Sequence, residues 1–499
     1  MFRWLPRWAW AVVVAGLVGA HVVVNIGRPP HFDAAWFAEE AWWLVRDGRV
    51  RSEFFRGLNG WETQMFVFHK LFVYVEAVMF RLFGPTPAAC QSVALGGTAL
   101  GLAALLRYLR SAPTEHRWLA ATLYLGCGAL LRYGGVGRPE ALVMALGFGS
   151  FVVLAAGRGS GRTKGQSPGT GRLLGAGVLA GAAALTHLNG LIFIAAGVGW
   201  LALRPGSEGG WRRWRPALLF GAVGGATAAL YLLDAAVVGQ LPTLVAQFRL
   251  DPATRHGFDA GHRLATLARL HTLFFHSEGE AGLSGLAVLG ALALRRYGGV
   301  GWHQPATRYA LLLLLAFAGL TKSPTDYYYL LFVPSLVAML LEWLEPAGPP
   351  MVVPATRRLS WGIRVALAGY LVLVPVRLNY LWNQRRLEPP DTVVRNAALA
   401  RWMPRRGALV IAPLDFFFGQ ITNYRVRGLT AYFLRNEYEF KSALSVPGFF
   451  ELAAQDSITY VITDLRGNMA YLVPADAPPR VGEYHRVFQD AWGALYVRE

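Results

Sequence analysis

The chain has 499 residues, of which 54% are hydrophobic and 16% are charged, and its charged residues form short blocks between long apolar runs. This composition excludes an ordinary soluble domain and a disordered chain, and it indicates a polytopic α-helical membrane protein. The net charge of +18 does not indicate nucleic-acid binding, because the arginines flank hydrophobic segments, where the positive-inside rule places them.

The first apolar run, Trp8 to Ile26, follows Arg3 and Arg7 and is long enough to cross a bilayer. No clear small-residue cleavage site follows it, so we expect a retained span with a cytoplasmic N-terminus. Beyond it, in the stretch His31–Gly48, aromatic residues recur at helical spacing with acids between them. That pattern predicts a helix lying in the outer interface, with Asp33 at the membrane surface.

A second apolar stretch, Thr63 to Phe83, carries Lys70, Glu76 and Arg81. If it crossed the membrane, the basic hairpin that follows would face outside, against the positive-inside rule. We therefore expect an interfacial or partly buried helix, and an external loop with interfacial helices over residues 28–84.

Further segments bring the predicted total to about 11 membrane segments. They lie near Ala89–Leu106, Trp118–Leu131, Glu140–Ala156, Pro216–Val238, Gly282–Leu294, Tyr309–Leu320, Tyr327–Trp343 and Val365–Tyr380. Leu173–Leu203 is too short for two full passes, so it is predicted to form two half-helices that meet near Thr186–Gly190. Residues 239–279 are expected to form a long external loop.

The tail differs in composition from the membrane domain, which is assigned to residues 1–382. Strand-like runs at Ala408–Ala412 and Ile458–Thr463, a helical pattern near Val393–Trp402 and a hairpin pattern over 484–497 predict a small α/β domain at residues 383–499. The alternation of spans places this tail outside the membrane. We expect a protein of a bacterial-type inner (cytoplasmic) membrane.

Four polar clusters fall on the external side of this topology. They are His31 and Asp33 with Glu62 and His69; Arg138-Pro139-Glu140; Arg249, Asp251, Arg255, His256, Asp259 and His262; and Lys322 to Tyr329. Carboxylates facing cations suit the transfer of a group from a lipid phosphate, with an acid as general base and Lys or Arg on the phosphate. Each cluster also fits a structural interpretation, such as a salt bridge in the Arg138–Glu140 turn or an interfacial aromatic belt at residues 327–329.

Five short motifs follow one another in a characteristic order. They are Asp33 after the first span with the helix ending at Asp47-Gly48, Arg81-Leu82-Phe83-Gly84, Arg138-Pro139-Glu140, the Gly-rich segment Gly175–Asn189, and Lys322 through Pro334. In this order they resemble the GT-C superfamily of polyprenyl-phosphate-dependent glycosyltransferases, in the branch of the protein O-mannosyltransferases and the lipid A aminoarabinose transferases. In that family the acid after the first span is the catalytic base, which corresponds to Asp33.

The resemblance implies an inverting glycosyltransferase that takes a sugar from a polyprenyl-phosphate donor to an external protein, lipid or glycan acceptor. Asp33 and Glu140 are the predicted catalytic acids. The predicted substrate-binding residues are Arg138, Lys322, Tyr328, His256, Glu62 and His69. Some relatives bind a divalent metal through Glu and His. The candidate counterparts here are Glu62 with either His69 or His256, and whether this chain binds a metal stays open.

Two alternatives also stay open. A catalytically degenerate GT-C-like scaffold or assembly subunit is favoured by Ala34, which stands where the family often has a second acid. A lipid or solute transporter is favoured by the broken Leu173–Leu203 segment.

Overall fold

The computed structural model describes residues 6–25, 28–29, 31–156, 168–204, 211–250, 260–297, 304–321, 323–344, 368–383, 391–435, 444–465 and 469–499. Most of these residues are helical. The α-helices are α1 Arg7–Asn25, α2 Phe32–Asp47, α3 Lys70–Phe83, α4 Pro87–Tyr108, α5 Thr114–Leu125, α6 Gly128–Tyr133, α7 Glu140–Ala155, α8 Thr170–Thr186, α9 Leu191–Ala202, α10 Trp211–Ala229, α11 Leu233–Val237, α12 Leu241–Leu250, α13 Ala260–Ala268, α14 Leu270–Phe275, α15 Glu278–Tyr297, α16 Pro305–Leu320, α17 Val333–Leu344, α18 (368–383), α19 Thr392–Ala400, α20 Leu429–Arg435 and α21 Val446–Gln455.

Among the described residues, four helical segments are long and apolar enough to cross a membrane. They are Arg7–Asn25, Pro87–Tyr108, Arg213–Val237 and Asp326–Leu344. Shorter apolar helices, including α7, α8, α9 and α16, pack beside them and supply much of the apolar core. The sequence prediction of a helical membrane protein is confirmed, and the total of about 11 membrane segments stays a prediction.

The predicted break in Leu173–Leu203 is present in the structure. Helix α8 ends at Thr186, a 3-10 turn covers Leu188–Gly190, and α9 begins at the next residue. A Cβ at Gly190 would stand 2.2 Å from the carbonyl carbon of Ala183. The turn therefore packs against the end of α8 so closely that only glycine fits there.

Two expectations are corrected by the structure. The segment Trp118–Leu131 is not one continuous helix, because Gly126 ends α5 and Cys127 is extended before α6 begins. The region 239–279 is not a plain loop, because its described residues form α12, α13 and α14. Apolar residues recur at helical spacing within it, and this pattern supports helices even though the region is polar on average.

The C-terminal region (residues 391–499) contains a six-stranded sheet. Its strands are β1 Leu409–Ala412, β2 Arg425–Gly428, β3 Tyr460–Ile462, β4 Arg480–Val481, β5 Tyr484–Gln489 and β6 Ala494–Arg498, in the order β2-β1-β3-β6-β5-β4. The β2, β1 and β3 strands run parallel, and β6, β5 and β4 continue the sheet in antiparallel pairs. The observed strands and helix agree with the predicted α/β pattern.

The two faces of this sheet have different neighbours. Helices α20 and α21 cover one face. The other face packs on α2, α3 and the segment between them in one shared apolar core, where Gly428 N–H donates to the carbonyl of Phe54 at 3.0 Å. The sheet therefore packs in the same apolar core as α2, the helix that carries Asp33.

Candidate active site

Helix α2 begins immediately after His31, whose Nδ1 accepts a hydrogen bond from the backbone N–H of Asp33 at 3.3 Å. The imidazole thus caps the helix, and Asp33 occupies its first turn, where the helix dipole favours a carboxylate. At the other end, Gly48 adopts φ +71° and its N–H donates to Leu44 O at 3.1 Å. The sequence therefore fixes both ends of α2, as the pattern His31–Gly48 predicted.

The backbone just before Arg138 packs closely against the start of α2, although Arg138 lies 105 residues after Asp33. His31 N–H donates to the carbonyl of Val136 at 3.3 Å. Gly137 has φ +74°, and a Cβ there would lie 3.0 Å from the Cβ of Ala34. Glycine is required here for both the backbone conformation and the close contact, and both place Arg138 beside Asp33.

The Arg138 guanidinium is the centre of the cluster. It forms a salt bridge with the Oδ2 atom of Asp33, and it binds Glu140 in a two-pronged pair with Nε–Oε2 at 3.2 Å and Nη2–Oε1 at 3.0 Å. Nη1 also lies 3.2 Å from His31 Nδ1. One buried cation is therefore shared by two carboxylates and one imidazole.

Burial and charge oppose each other at Asp33. Burial raises the pKa of its carboxyl, while the neighbouring Arg138 works in the opposite direction. Its Oδ1 atom has no hydrogen-bond partner among the described residues, and the side chain is 20% exposed. The carboxylate is thus fixed through one oxygen and accessible through the other.

Three consecutive tyrosines lie on the 3-10 helix Asp326–Phe332. A 3-10 helix has three residues per turn, so successive side chains point in three directions. The Tyr327 ring lies under the Arg138 guanidinium at 3.7 Å, and the Tyr328 ring meets His187 edge to face at 5.6 Å. Tyr329 is buried and donates to the carbonyl of Glu280 at 3.1 Å.

A histidine pair extends the site away from Asp33. His69 precedes α3, and its ring stacks on His187 with centroids 4.5 Å apart. The His69 ring also meets Phe37 of α2 edge to face at 4.9 Å. Burial and the neighbouring His187 lower the pKa of His69 well below its usual value, so this imidazole is neutral. The broken helix therefore contributes a residue to the site, through His187.

A second acidic cluster lies further along α2, away from Arg138. Glu39 is fully buried and accepts hydrogen bonds from Trp43, Ser52 and the backbone N–H groups of Glu53 and Phe54, at 2.5–3.1 Å. Burial raises the pKa of Glu39 to about 7 and that of Glu76 to about 8.

Glu76 and its neighbour Glu40 are less well bonded than Glu39. Neither oxygen of Glu76, nor Oε2 of Glu40, has a hydrogen-bond partner among the described residues. The Cys90 thiol near Glu76 donates instead to Thr86 O at 3.5 Å. Lys70 is engaged elsewhere, with Asp234 at 2.5 Å. Burial therefore favours the protonated form of both Glu40 and Glu76.

The structure brings together only part of the predicted site. Asp33 and Glu140 both contact Arg138. The rings of Tyr328 and His69 both contact the ring of His187. Glu62 Oε2 accepts from Gly57 N–H at 3.2 Å in a turn, and none of its described contacts reaches this cluster. Lys322 and His256 lie outside the described residues.

No group of three or more His, Cys, Asp or Glu side chains that could hold a metal ion occurs in the part of the chain that the structure describes. Glu62 and His69 have separate neighbours, a turn for one and an aromatic stack for the other, so these two residues do not form a metal site together. The other possible partner of Glu62, His256, lies outside the described residues.

Sequence reasoning did not find the ring contacts of Tyr327 and His187 or the buried carboxyls Glu39, Glu40 and Glu76. In the sequence, Glu39 and Glu40 stand between the aromatic residues of a helix predicted to lie in the interface, and nothing local indicates that they are buried. The signal that was available is that Asp33 and Glu40 are seven residues apart, which places them on one side of α2.

Solved structures share the fold of this chain. No family model and no curated protein matches the sequence. The structure of ArnT from Cupriavidus metallidurans bound to undecaprenyl phosphate superposes with a TM-score of 0.61, at 13% identity over 98% of this chain and 97% of that one. The apo form of ArnT gives a TM-score of 0.63, at 12% identity over 98% of each chain.

Two further similarities come from larger proteins. The Archaeoglobus fulgidus oligosaccharyltransferase in its apo form gives a TM-score of 0.53, at 13% identity over 99% of this chain and 75% of that one. The mycobacterial arabinofuranosyltransferase AftD gives 0.51, at 15% identity over 99% of this chain and 40% of that one. These solved structures therefore confirm the fold that the resemblance in sequence motifs implies.

Proposed function

We propose that this protein is a membrane glycosyltransferase that moves a sugar from a polyprenyl-phosphate donor to an acceptor outside the membrane, with Asp33 as the general base. The observation that carries the proposal is the cluster that Asp33, in the first turn of α2, forms with Arg138 and Glu140 at the start of α7. The fold shared with ArnT bound to undecaprenyl phosphate supports the choice of donor. In the same proposal the N-terminus is cytoplasmic and the C-terminal region helps to select the acceptor.

The reaction assigns a separate task to each oxygen of Asp33. Its Oδ2 atom is held by Arg138, while Oδ1 faces an acceptor hydroxyl or amide and takes its proton. The acceptor atom bonds to the anomeric carbon as the carbon–oxygen bond to the phosphate breaks. The electrons of that bond remain on the polyprenyl phosphate, and inversion follows from the family resemblance.

Arg138 acts in this scheme mainly by positioning. Its four hydrogen bonds to Asp33, Glu140 and His31 use all but one of the five N–H donors of a guanidinium. One donor is left for a phosphate oxygen, so the predicted substrate contact of Arg138 is a single bond. We assign most of the phosphate binding to other cations, Lys322 first among them.

Transfer of radiolabelled sugar from a panel of polyprenyl-phosphate donors to membrane extracts tests the proposal. We expect D33N to lower the rate by about 10²–10⁴-fold, because an amide cannot accept the acceptor proton. D47N is the matched control, since Asp47 lies on the same helix and pairs with Arg51 at the surface. It should transfer sugar at the wild-type rate.

The outcomes separate the proposal from its alternatives. Transfer by wild type and D47N but not by folded D33N supports Asp33 as the base. Equal transfer by D33N moves the base to another residue. Folded wild-type protein that transfers no sugar from any donor contradicts the glycosyltransferase assignment and favours a scaffold.

A further inference from the structure

The His31 imidazole joins the helix that carries Asp33 to the arginine that holds it. Its Nδ1 atom lies 3.3 Å from the backbone nitrogen of Asp33 and 3.2 Å from Nη1 of Arg138. A peptide N–H and a guanidinium N–H are donors only. Nδ1 must therefore be the acceptor of both and carries no proton.

The charge and tautomer of His31 follow from this geometry. With Nδ1 unprotonated, a neutral ring has its proton on Nε2. Burial and the positive charge of Arg138 also lower the pKa of His31 to about 3, so the ring stays neutral at physiological pH. The fold thus fixes a histidine as an uncharged donor beside Asp33.

The remaining ring nitrogen is available to a ligand. Among the described residues Nε2 has no hydrogen-bond partner, and it is not one of the buried atoms that lack one. The side chain is 23% exposed, and its Nδ1 is 3.7 Å from Oδ2 of Asp33. An accessible N–H therefore lies at the rim of the candidate base.

We propose that His31 binds the carrier phosphate of the donor substrate, by donating a hydrogen bond from Nε2–H to a phosphate oxygen. The inference rests on the proposed function and names a residue for its donor site. A phosphate oxygen is a suitable acceptor because it can accept from Nε2–H of His31 and from the one N–H that Arg138 has left on the same cluster. The ring transfers no proton: the phosphate keeps the bonding electrons as it leaves, and Asp33 receives the acceptor proton.

Such a donor acts most strongly when the carbon–oxygen bond breaks. Negative charge on the phosphate oxygens grows at that moment, and a fixed N–H needs no reorganisation to stabilise it. A neutral ring also avoids adding a second cation beside Arg138. The site therefore contacts the phosphate without depending on the protonation of a histidine.

Two substitutions separate the two nitrogens of the ring. In H31N the amide oxygen replaces Nδ1 and keeps the cap and the Arg138 contact, but the donor at the Nε2 position is lost. In H31Q the amide nitrogen reaches the Nε2 position, but the acceptor at Nδ1 is lost. The full-length protein in nanodiscs is titrated with undecaprenyl methyl phosphate, a phosphodiester whose charge is constant between about pH 5 and 8.

We expect H31N to keep the wild-type Tm and to bind the phosphodiester about 10-fold more weakly, as for a lost hydrogen bond to a charged group. H31Q should bind within about 3-fold of wild type and show a lower Tm. Asp33 is present in both proteins, so the pH dependence of the affinity should be the same for wild type and H31N over this range. If His31 bound the phosphate as a cation, only the wild-type affinity would rise as the pH falls through about 6.5.

Three results would overturn the inference. Equal binding by H31N and wild type makes His31 a helix cap only. Affinity that rises toward low pH in wild type but not in H31N shows a charged ring and contradicts the tautomer. Folded wild type that binds no polyprenyl phosphodiester overturns the proposed function, whereas the first two results leave that function intact.

Discussion

Two groups of acids on α2 and its neighbours have opposite electrostatic designs. Around Asp33 a buried arginine holds two carboxylates, and each of them has a charged partner. Near the middle of the same helix, Glu40 and Glu76 are buried with oxygens that lack hydrogen-bond partners among the described residues. In the first group Arg138 opposes the effect of burial on the pKa of Asp33, whereas in the second group burial raises the pKa of both Glu40 and Glu76. The neighbours of each acid on α2, and not the residue type alone, therefore decide how readily it ionises.

Removing the cation should have the largest effect. We expect R138Q to lower the stability of the protein by about 3–5 kcal/mol, because the buried Glu140 and the partly buried Asp33 lose their partner, and to abolish sugar transfer. The double variant R138Q/E140Q has one fewer buried charge and should recover part of the stability but none of the activity. Thermal unfolding in detergent and the transfer assay measure the two effects, and a double variant no more stable than R138Q would contradict this view of the cluster.

Disturbing the approach of Arg138 should have the next largest effect. G137A places a Cβ 3.0 Å from Ala34 at φ +74°, so we expect a loss of about 2–3 kcal/mol together with reduced transfer. G48A imposes a similar backbone strain at φ +71° in open space. It should cost about 1–2 kcal/mol and leave transfer unchanged, and equal transfer by the two variants would show that the close contact is unimportant.

Replacing Glu76 of the second group by glutamine should stabilise the protein at high pH only. The folded pKa of Glu76 is raised to about 8, so the folded state binds its proton more tightly than the unfolded state. Stability is then lost as the pH rises from the unfolded pKa of about 4.5 through about 8. E76Q should match wild type near pH 5 and exceed it at about pH 9, on the order of 1–2 kcal/mol.

The difference in stability between E76Q and wild type should therefore grow as the pH rises. Thermal unfolding of both proteins across the same pH range measures this difference. Parallel curves for wild type and E76Q would mean that Glu76 titrates normally and has a partner in solution.

The smallest effect is expected at an acid that belongs to neither group. Asp47 is exposed in the last turn of α2 and pairs with Arg51 at 2.9 Å. We expect D47N to change stability by less than about 0.5 kcal/mol, as is usual for surface ion pairs. A larger change measured by thermal unfolding would show that α2 is sensitive along its whole length and would weaken the contrast between the groups.

Much of the fold was predictable because its signals are local. Apolar run length placed α1, and alternation placed β5 and β6. The break between α8 and α9 followed from Leu173–Leu203, which is too short for two full passes. Within the site, Asp33 was predictable from its position after the first span. A salt bridge between Arg138 and Glu140 was predictable because the two residues stand together in one short turn.

The rest depends on contacts between distant residues. The bond from Arg138 to Asp33 joins residues 105 positions apart and requires the bare backbone of Gly137 against α2. Burial of Glu40 and Glu76 follows from the packing of α2, α3 and the sheet, which no single segment encodes. Helices α12 to α14 were missed because their polar residues suggested a loop.

The tyrosine triplet has a consequence for how this sequence can vary. Each tyrosine of the 3-10 helix Asp326–Phe332 contacts a different neighbour. Tyr327 contacts Arg138, Tyr328 contacts His187, and Tyr329 bonds to Glu280 near the start of α15. One inserted residue ahead of the triplet would rotate all three rings by about 120° and reassign every contact at once. A change of side chain, such as Tyr328→Phe, alters one contact only. Homologous sequences that share this site are therefore expected to tolerate substitutions in the triplet far better than insertions or deletions before it.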